Sequence, residues 1–192
     1  MYFDSIIAGF GGQGVLLMGN ILAYAAITEK KNVTYMPVYG VEMRGGTANC
    51  TVVISDDPIG SPIIQKPVSS VAMNLPSMEK FGPRIKKGGL LVVNSSLIPD
   101  KEVNFKGIEC LLVPSRELAV EIGNERLANM VMLWAAAPSM TIFGAAAQRS
   151  GVVSAKSLEN ALYPALDKRY HKMIDMNIKA MRRGARFAQE GL

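Results

Sequence analysis

The stretch Gly9-Phe10-Gly11-Gly12-Gln13-Gly14 decides the fold of this chain, because of what lies on either side of it. Phe3 to Ala8, just before it, is a short apolar run rich in isoleucine, which is typical of a buried strand. From Gln13 to Ala26 the apolar and small residues recur at helical spacing. The glycines therefore join a strand directly to a helix, which is the context that the G-x-G-x-x-G pattern requires.

A turn of this kind favours the binding of an anion. Glycine permits positive φ and close approach of the backbone, and the first amides of the following helix lack partners within the helix. A Rossmann dinucleotide site also needs an acidic residue about 20 positions further on, at the end of the second strand. Tyr35 to Tyr39 occupy that end, and Glu42 lies beyond it in a loop. The glycines thus indicate an anion site, or serve only the tight packing of strand on helix.

The remaining pattern alternates strands and helices. Five further strands are expected at Val33 to Tyr39, Thr47 to Ser55, Val68 to Asn74, Leu90 to Asn94 and Ile108 to Val113. Helices are expected at Ser77 to Phe81, at Arg116 to Ile122 with Ser115 as N-cap, and in segments that begin at Asn124, at Ser154 or Ser157, and at Asp167. Pro138 should break or kink the segment that begins at Asn124.

This order predicts the α/β class, with a single Rossmann-like domain. The sheet is expected to be largely parallel and to carry helices on both faces. The α/β core should occupy about residues 1–125, and a helical C-terminal part should occupy about residues 125–192.

Three segments follow predicted strands and should share one edge of the sheet: the glycine turn, the loop Gly40 to Gly46, and Asn94 to Ser96. Arg44 lies between glycines, and arginine binds phosphate or carboxylate through two hydrogen bonds. A surface ion pair of Arg44 with Glu42 is the alternative. The candidate cofactor-binding residues are Gly9, Gly11, Gly12, Gln13, Gly14, Arg44, Gly45 and Gly46.

The rest of the inventory argues against a chain that is a complete enzyme by itself. Cys50 and Cys110 are the only cysteines and cannot supply a four-cysteine cluster. His171 is the only histidine and is expected at the surface, so neither a catalytic triad nor a metal site is predicted. The N-terminus lacks the pattern of a signal peptide, and a cytoplasmic protein is expected.

Two segments could favour other classes of protein. Leu127 to Gln148 carries no charge but is diluted by small and polar residues, so we interpret it as a buried or interface segment rather than a membrane span. The last helix has a basic side within a net charge of +5, but it lacks a nucleic-acid reading motif. Its apolar face is expected to consist of Tyr170, Met173, Ile174, Ile178, Met181 and Ala185.

Four motifs together resemble the gamma subunit of 2-oxoacid:ferredoxin oxidoreductases, with the 2-oxoglutarate type as the best match. They are Gly9 to Leu16, Tyr39 to Cys50, Ile54 to Pro62 and Leu90 to Ser96. The resemblance covers about residues 3–125. Beyond it, Trp134 stands where a small residue is expected, and the stretch around Pro138 to Ser150 is longer than the family pattern.

The resemblance implies a complex that oxidatively decarboxylates a 2-oxoacid to an acyl-CoA and passes the electrons to ferredoxin. Thiamine diphosphate, magnesium and iron-sulfur clusters would belong to other subunits, namely alpha, beta and a ferredoxin-like delta. This chain would support catalysis and help to hold coenzyme A. Leu127 to Ala147 would be buried against a partner or another copy. A stand-alone nucleotide-dependent oxidoreductase of Rossmann type is the alternative.

Overall fold

The computed structural model describes residues 1–40, 46–139 and 152–190, without the side chains of residues 137–139. Six strands form one sheet in the order β2-β3-β1-β4-β5-β6. The strands are β1 Tyr2–Phe10, β2 Asn32–Tyr39, β3 Thr47–Ser55, β4 Ser69–Ala72, β5 Leu90–Asn94 and β6 Glu109–Val113. The α-helices are α1 Val15–Thr28, α2 Leu75–Phe81, α3 Ser115–Glu121, α4 Ala128–Ser139, α5 Ala155–Ala165 and α6 Ile174–Glu190. The predicted α/β class is confirmed.

The sheet is parallel except for β3. That strand pairs antiparallel with both β2 and β1, whereas β4 is parallel to β1, and β5 and β6 continue in the same direction. The physical reason is the length of the connection from β2 to β3, because a parallel connection needs a crossover of a dozen or more residues. The segment between Tyr39 and Thr47 is shorter than that and returns as a hairpin.

Helices cover the two faces of the sheet unequally. In β5, Leu90 and Val92 join the large core together with α1 and α3 to α6, whereas Leu91 and Val93 join a smaller cluster with Met78 of α2. The helix after β1 and the helix after β4 thus lie on opposite faces. In sheets of this type, a crevice forms where neighbouring strands send their connections to opposite faces, at the carboxyl ends of the strands. We call this edge of the sheet, where β1, β4, β5 and β6 end, the carboxyl rim.

The C-terminal helical segments begin at the residues expected from the sequence, whereas the expected N-cap of α3 is not its N-cap. Asn124, Ser154 and Asp167 each accept a hydrogen bond from a backbone N–H near the start of a helix or helical turn. Ser115 was expected as an N-cap but is the first residue of α3. Its hydroxyl instead donates to Asn94 Oδ1 at 2.8 Å, and the hydroxyl of Ser96 accepts from the Arg116 N–H at 2.9 Å.

Helix α4 is buried inside this chain. Met130 to Ala135 are at most 8% exposed, and α4 packs mainly on α6. The expectation that Leu127 to Ala147 packs on a partner is therefore wrong for Leu127 to Ala136, and residues 140–147 lie outside the described part. Pro138 lies at the end of α4. No helix among residues 1–40, 46–139 and 152–190 is both long enough and apolar enough to cross a membrane.

The buried face of α6 differs in part from the predicted one. Ile174, Met181 and Ala185 are buried as expected, whereas Tyr170 lies before the helix and is 49% exposed. The predicted face lacked the small residues at its centre, which are Ala180, Gly184 and Ala188. Gly184 lets the backbones of α6 and α4 approach closely, because a Cβ atom there would overlap the Val131 carbonyl oxygen.

His171 has a structural role at the end of α5. Its Nε2 lies 3.1 Å from both Tyr163 O and Leu166 O, and its ring packs edge-on against the Tyr163 ring. A proton on Nε2 would be shared between these two carbonyl oxygens. The expectation of a surface residue is therefore corrected to a half-buried side chain that closes the last turn of α5.

Glu29 at the end of α1 should make stability depend on pH. Its carboxylate accepts from the Ser154 N–H at 2.6 Å. Burial acts to raise the pKa of Glu29, but the hydrogen bonds from Ser154 and Ser157 and the charge of Lys31 outweigh it and hold the pKa below its ordinary value. A lowered pKa stabilises the fold above about pH 4.5, and this contribution is lost as the pH falls through the folded-state pKa.

We therefore expect E29Q to melt below the wild type at pH 7, and the difference to shrink towards pH 3. Thermal melts followed by circular dichroism across this range would measure it. E190Q, at the exposed end of α6, is the matched control and should melt as the wild type does. A gap between E29Q and wild type that does not change with pH would contradict the assignment.

Candidate functional site

The glycine turn takes a conformation that only glycine adopts readily. Gly12 has φ of 99° and Gly14 has φ of 75°, both in the left-handed region. Gly14 is the N-cap of α1 and offers no side chain to the helix. At Gly9 a Cβ atom would lie 2.6 Å from Gln13 Oε1 and 2.8 Å from Met73 Cβ. The turn is therefore tight, and the start of α1 has no side-chain cap.

The side chain of Gln13 holds the turn together. Its Oε1 accepts from the Phe10 N–H at 2.6 Å and from Asn74 Nδ2 at 3.0 Å. Its Nε2 donates to Met73 O at 3.3 Å. Gln13 was predicted to line a binding site, and it does line a cavity, but these contacts within the chain use both its oxygen and its nitrogen. Its structural contribution is to fix the position of the turn against β4.

A chain of buried polar groups continues from Gln13 across the carboxyl rim. Asn94 Nδ2 also donates to Met73 O at 3.3 Å, and Asn94 Oδ1 accepts from Ser115. Asn74 Oδ1 accepts from the Ser77 N–H and caps α2. The sequence analysis singled out Asn94 only by its place after a strand and missed Asn74. An asparagine two residues beyond the end of a strand and three residues before a serine is the local signal that could have found it.

The second predicted loop does reach the glycine turn. The Gly11 N–H donates to Gly46 O at 2.9 Å, and Gly40 donates to Thr47 O at 3.0 Å. The two segments therefore share the carboxyl rim, as expected for strands that run in the same direction. Arg44 and Gly45 lie outside the described residues, so their part in the site stays a prediction.

A cavity of about 270 Å³ opens on the other side of the glycine turn. Gly12, Gln13 and Gly14 line it together with Met73 and Asn94 at the strand ends. Asn129 at the start of α4 also lines it, and its side chain packs against Gly14. The size of the cavity approaches that of small-molecule sites, which begin near 300 Å³. Its place between connections to opposite faces is the place where folds of this type bind ligands.

The charges at this cavity are mostly positive. Arg116 Nη2 and Nε lie 3.0 and 3.2 Å from Glu125 Oε2, so the one carboxylate in the lining is paired. Arg126 also lines the cavity and has no ion pair in the part of the chain that the structure describes. Nearby, the Ser96 hydroxyl donates to Glu117 and holds its pKa below the usual range. Arg126 is therefore the charge at this cavity that is not balanced by an ion pair among the described residues.

The cysteines do not contribute to this site. Cys50 is fully buried, its thiol donates to Val15 O at 3.5 Å, and burial raises its pKa to about 12. Burial also raises the pKa of the Cys110 thiol on β6. Within residues 1–40, 46–139 and 152–190, no three His, Cys, Asp or Glu side chains are grouped so that they could hold a metal ion.

Fold and cavity define an α/β domain of the doubly wound type with a crevice at its carboxyl rim. A family model described as pyruvate ferredoxin/flavodoxin oxidoreductase matches residues 4–187. The chain therefore belongs to the pyruvate ferredoxin/flavodoxin oxidoreductase family.

Several relatives carry subunit names. The chain is 37% identical over 195 residues to the ketoisovalerate oxidoreductase subunit VorA of Methanothermobacter thermautotrophicus; the match covers 97% of this chain but only 36% of that protein. It is 32% identical to the 2-oxoglutarate synthase subunit KorC of Methanocaldococcus jannaschii, over 96% of this chain and 92% of that one. The chain thus spans about a third of the VorA relative and nearly all of KorC.

A solved structure has the same fold over its whole length. It is the gamma subunit of a keto/oxoacid ferredoxin oxidoreductase from Geobacter sulfurreducens, which superposes with a TM-score of 0.77 at 27% identity. The match covers 98% of this chain and 99% of that chain.

Proposed function

We propose that this chain is the gamma subunit of a 2-oxoacid:ferredoxin oxidoreductase and that its carboxyl rim completes an active site formed with other subunits. The observation that carries the proposal is the open glycine turn, which forms a positively charged crevice at the rim of a domain from this family. The proposal takes the chain as one gamma domain, with the α/β core at about residues 1–125 and the helical part at about 125–192. The helical part packs on the same core cluster as α1, which supports a single unit.

A stand-alone dinucleotide-dependent oxidoreductase is less well supported. Such an enzyme would hold the ribose by a carboxylate at the end of the second strand. In this chain β2 ends in Pro37, Val38 and Tyr39, and the last two are exposed and uncharged. The crevice is thus built for an anionic group but lacks the feature that selects a dinucleotide.

In the proposed complex this chain supplies positioning rather than redox chemistry. Thiamine diphosphate, magnesium and the iron-sulfur clusters belong to alpha, beta and ferredoxin-like delta subunits, and coenzyme A binds partly at the carboxyl rim. The buried Cys50 thiol, whose pKa is raised, supports this division because it is not available as a cluster ligand. In the cytoplasm, where ferredoxin would accept the electrons, the complex would yield an acyl-CoA.

Two 2-oxoacids are candidates for the substrate. The motifs around the glycine turn favour 2-oxoglutarate, as does the match to KorC over nearly the full length of both chains. The higher identity to a ketoisovalerate oxidoreductase subunit favours 2-ketoisovalerate as the second candidate.

The complex itself is the first test. The tagged chain, isolated from its own cells without oxygen, should bring down subunits that contain thiamine diphosphate and iron-sulfur clusters. The isolated complex should reduce a viologen dye only when coenzyme A and a 2-oxoacid are both present. Assays with 2-oxoglutarate, 2-ketoisovalerate and pyruvate would identify the substrate. Purification without such partners in repeated trials would overturn the proposal.

Arg44 is the next test, because it lies in the loop that reaches the glycine turn. We expect R44A in the assembled complex to raise the KM for coenzyme A by about tenfold, since one charge-assisted hydrogen bond to phosphate is lost. The KM for the 2-oxoacid should stay the same. The control is R186A on the exposed side of α6, which should change neither value. Unchanged kinetics together with unchanged assembly in R44A would rule out a role for Arg44 at the site.

A further inference from the structure

Six basic side chains lie together at the edge of the sheet where β4, β5 and β6 begin. This edge is opposite to the carboxyl rim, so it is separate from the crevice described above. All six side chains are exposed except that of Arg84, which is half-buried. We call this surface the basic face, and its members are Lys66, Lys80, Arg84, Lys86, Lys87 and Lys106.

Arg84 joins the end of α2 to the loop before β4. Its guanidinium donates to Ile64 O at 2.9 Å and to Gln65 O at 3.0 Å. The same guanidinium carbon lies 5.4 Å from the centre of the Phe81 ring, and Lys80 Nζ lies 5.3 Å from that centre. Two positive charges are therefore held on one buried ring, beside the loop that carries Lys66.

The loop before β5 brings the remaining lysines to the same surface. Its Lys86 N–H donates to Pro67 O at 2.9 Å, in the loop before β4. Its Gly88 N–H donates to Gly107 O at 2.7 Å, in the loop before β6. Backbone hydrogen bonds thus fix the three loops side by side, and the lysines that they carry are neighbours.

Few acidic side chains offset these charges. The segments that carry the six basic residues hold two acidic ones, Glu79 and Glu109. Asp4 is buried, and its Oδ2 lies 3.8 Å from Lys86 Nζ. The other members of the basic face have no ion pair within the described part of the chain. Like charges held close together repel one another, and an acidic partner would relieve this repulsion. The segments are residues 64–68, 79–89 and 105–109.

The surroundings of these charges favour a protein as the partner. Ile63 is 66% exposed, and it directly precedes the Ile64 carbonyl that Arg84 binds. Interfaces between proteins combine apolar contacts with a charged surround and are enriched in arginine. Single-stranded nucleic acids need exposed aromatic rings on which their bases stack, whereas Phe81 is only 6% exposed.

We propose that the basic face is the docking surface for an acidic protein, whose Asp and Glu side chains pair with the six basic residues around Ile63. A second copy of this chain does not fit, because it would bring two basic faces together and like charges across an interface cost free energy. Docking at this edge does not cover the crevice at the carboxyl rim. The proposal does not rest on the proposed function, because every residue in it belongs to this chain.

Binding of a labelled poly-glutamate peptide to the purified full chain tests the charge complementarity. The face variant K66E/K80E/K87E/K106E reverses four exposed lysines that have no ion pair among the described residues. We expect it to weaken the binding about tenfold or more at low salt, with a smaller difference at high salt. The control variant K156E/K168E/K172E/K179E makes the same change of net charge on exposed lysines of the C-terminal part and should bind as the wild type does.

Carbodiimide coupling tests the proposal in the native assembly. This reagent joins a lysine amine directly to a carboxylate that it contacts, without a spacer. In the assembly isolated from its own cells, mass spectrometry should find the lysines of the basic face joined to Asp or Glu residues of another protein. Coupling to another protein that involves only the four control lysines would contradict the proposal.

The remaining outcomes also decide the question. Equal binding of poly-glutamate by the face variant and the wild type, or an equal loss in the control variant, overturns the docking surface. Tighter binding of a DNA duplex than of poly-glutamate with the same total charge, lost in the face variant, assigns the face to nucleic acid and overturns the acidic protein. If thermal melts show that the face variant does not fold, K66E/K106E tests the same point with fewer changes. Poly-glutamate binding needs no partner subunits, so its failure leaves the proposed function intact.

Discussion

G184A is expected to destabilise the protein by about 2–4 kcal/mol, although alanine is the better helix former. Gly184 lies in the middle of α6 where it crosses α4. A Cβ atom there would overlap the Val131 carbonyl oxygen and would lie 2.8 Å from the carbonyl carbon. A backbone carbonyl of a buried helix cannot swing aside as the end of a flexible side chain can. The helices would have to move apart, which would open the most extensive helix contact of the fold.

Urea denaturation of the full chain would measure this loss as a lower midpoint with an unchanged slope. G60A is the control, because a Cβ on Gly60 meets nothing within 4 Å and its φ is not positive. That variant should keep the wild-type free energy of unfolding or gain a few tenths of a kcal/mol. A stabilised G184A would show that α4 and α6 do not cross as closely as described.

Q13L is expected to cost about 2–4 kcal/mol as well, for a different reason. Leucine fills roughly the same space but leaves the Phe10 N–H and the Asn74 amide without their acceptor. Each buried polar group that loses its partner costs about 1–3 kcal/mol. The carbonyl of Met73 keeps the hydrogen bond from Asn94, so it adds less.

The same substitution should loosen the glycine turn, because Gln13 ties it to β4. Besides the lower free energy of unfolding, Q13L should therefore raise the KM for coenzyme A in the assembled complex. Q189L, on the exposed end of α6, is the matched control and should change neither measurement. Wild-type stability in Q13L would mean that water satisfies these groups, and the turn would then not depend on the side chain.

Sequence pattern predicted the elements well where the signal is local. The six strands, the glycine turn and the starts of the helical segments at Asn124, at Ser154 or Ser157, and near Asp167 each depend on residues within one turn or one strand. The shared edge of the glycine turn and the Gly40 to Gly46 loop followed from strand direction. The binding roles proposed for the glycine turn and for the loop stay predictions. The residues concerned are Gly9, Gly11, Gly12, Gln13, Gly14, Arg44, Gly45 and Gly46.

The wrong predictions have the same cause: the residue or helix that makes the contact lies far away in the sequence. Ser115 has a residue type suited to an N-cap, but its hydroxyl is taken by Asn94 from a neighbouring strand. The apolar α4 suggested an interface, but its partner is α6 of the same chain. No local pattern reveals which of several apolar faces will meet.

By itself, the sequence determined that a strand, an open glycine turn and a helix follow one another, because glycine spacing and apolar periodicity act over a few residues. Only the tertiary structure decided what that turn faces. Packing of α4 on α6 places Asn129 against Gly14, more than a hundred residues away in the chain. Such a contact joins residues that are distant in the sequence, so no pattern over a few residues predicts it.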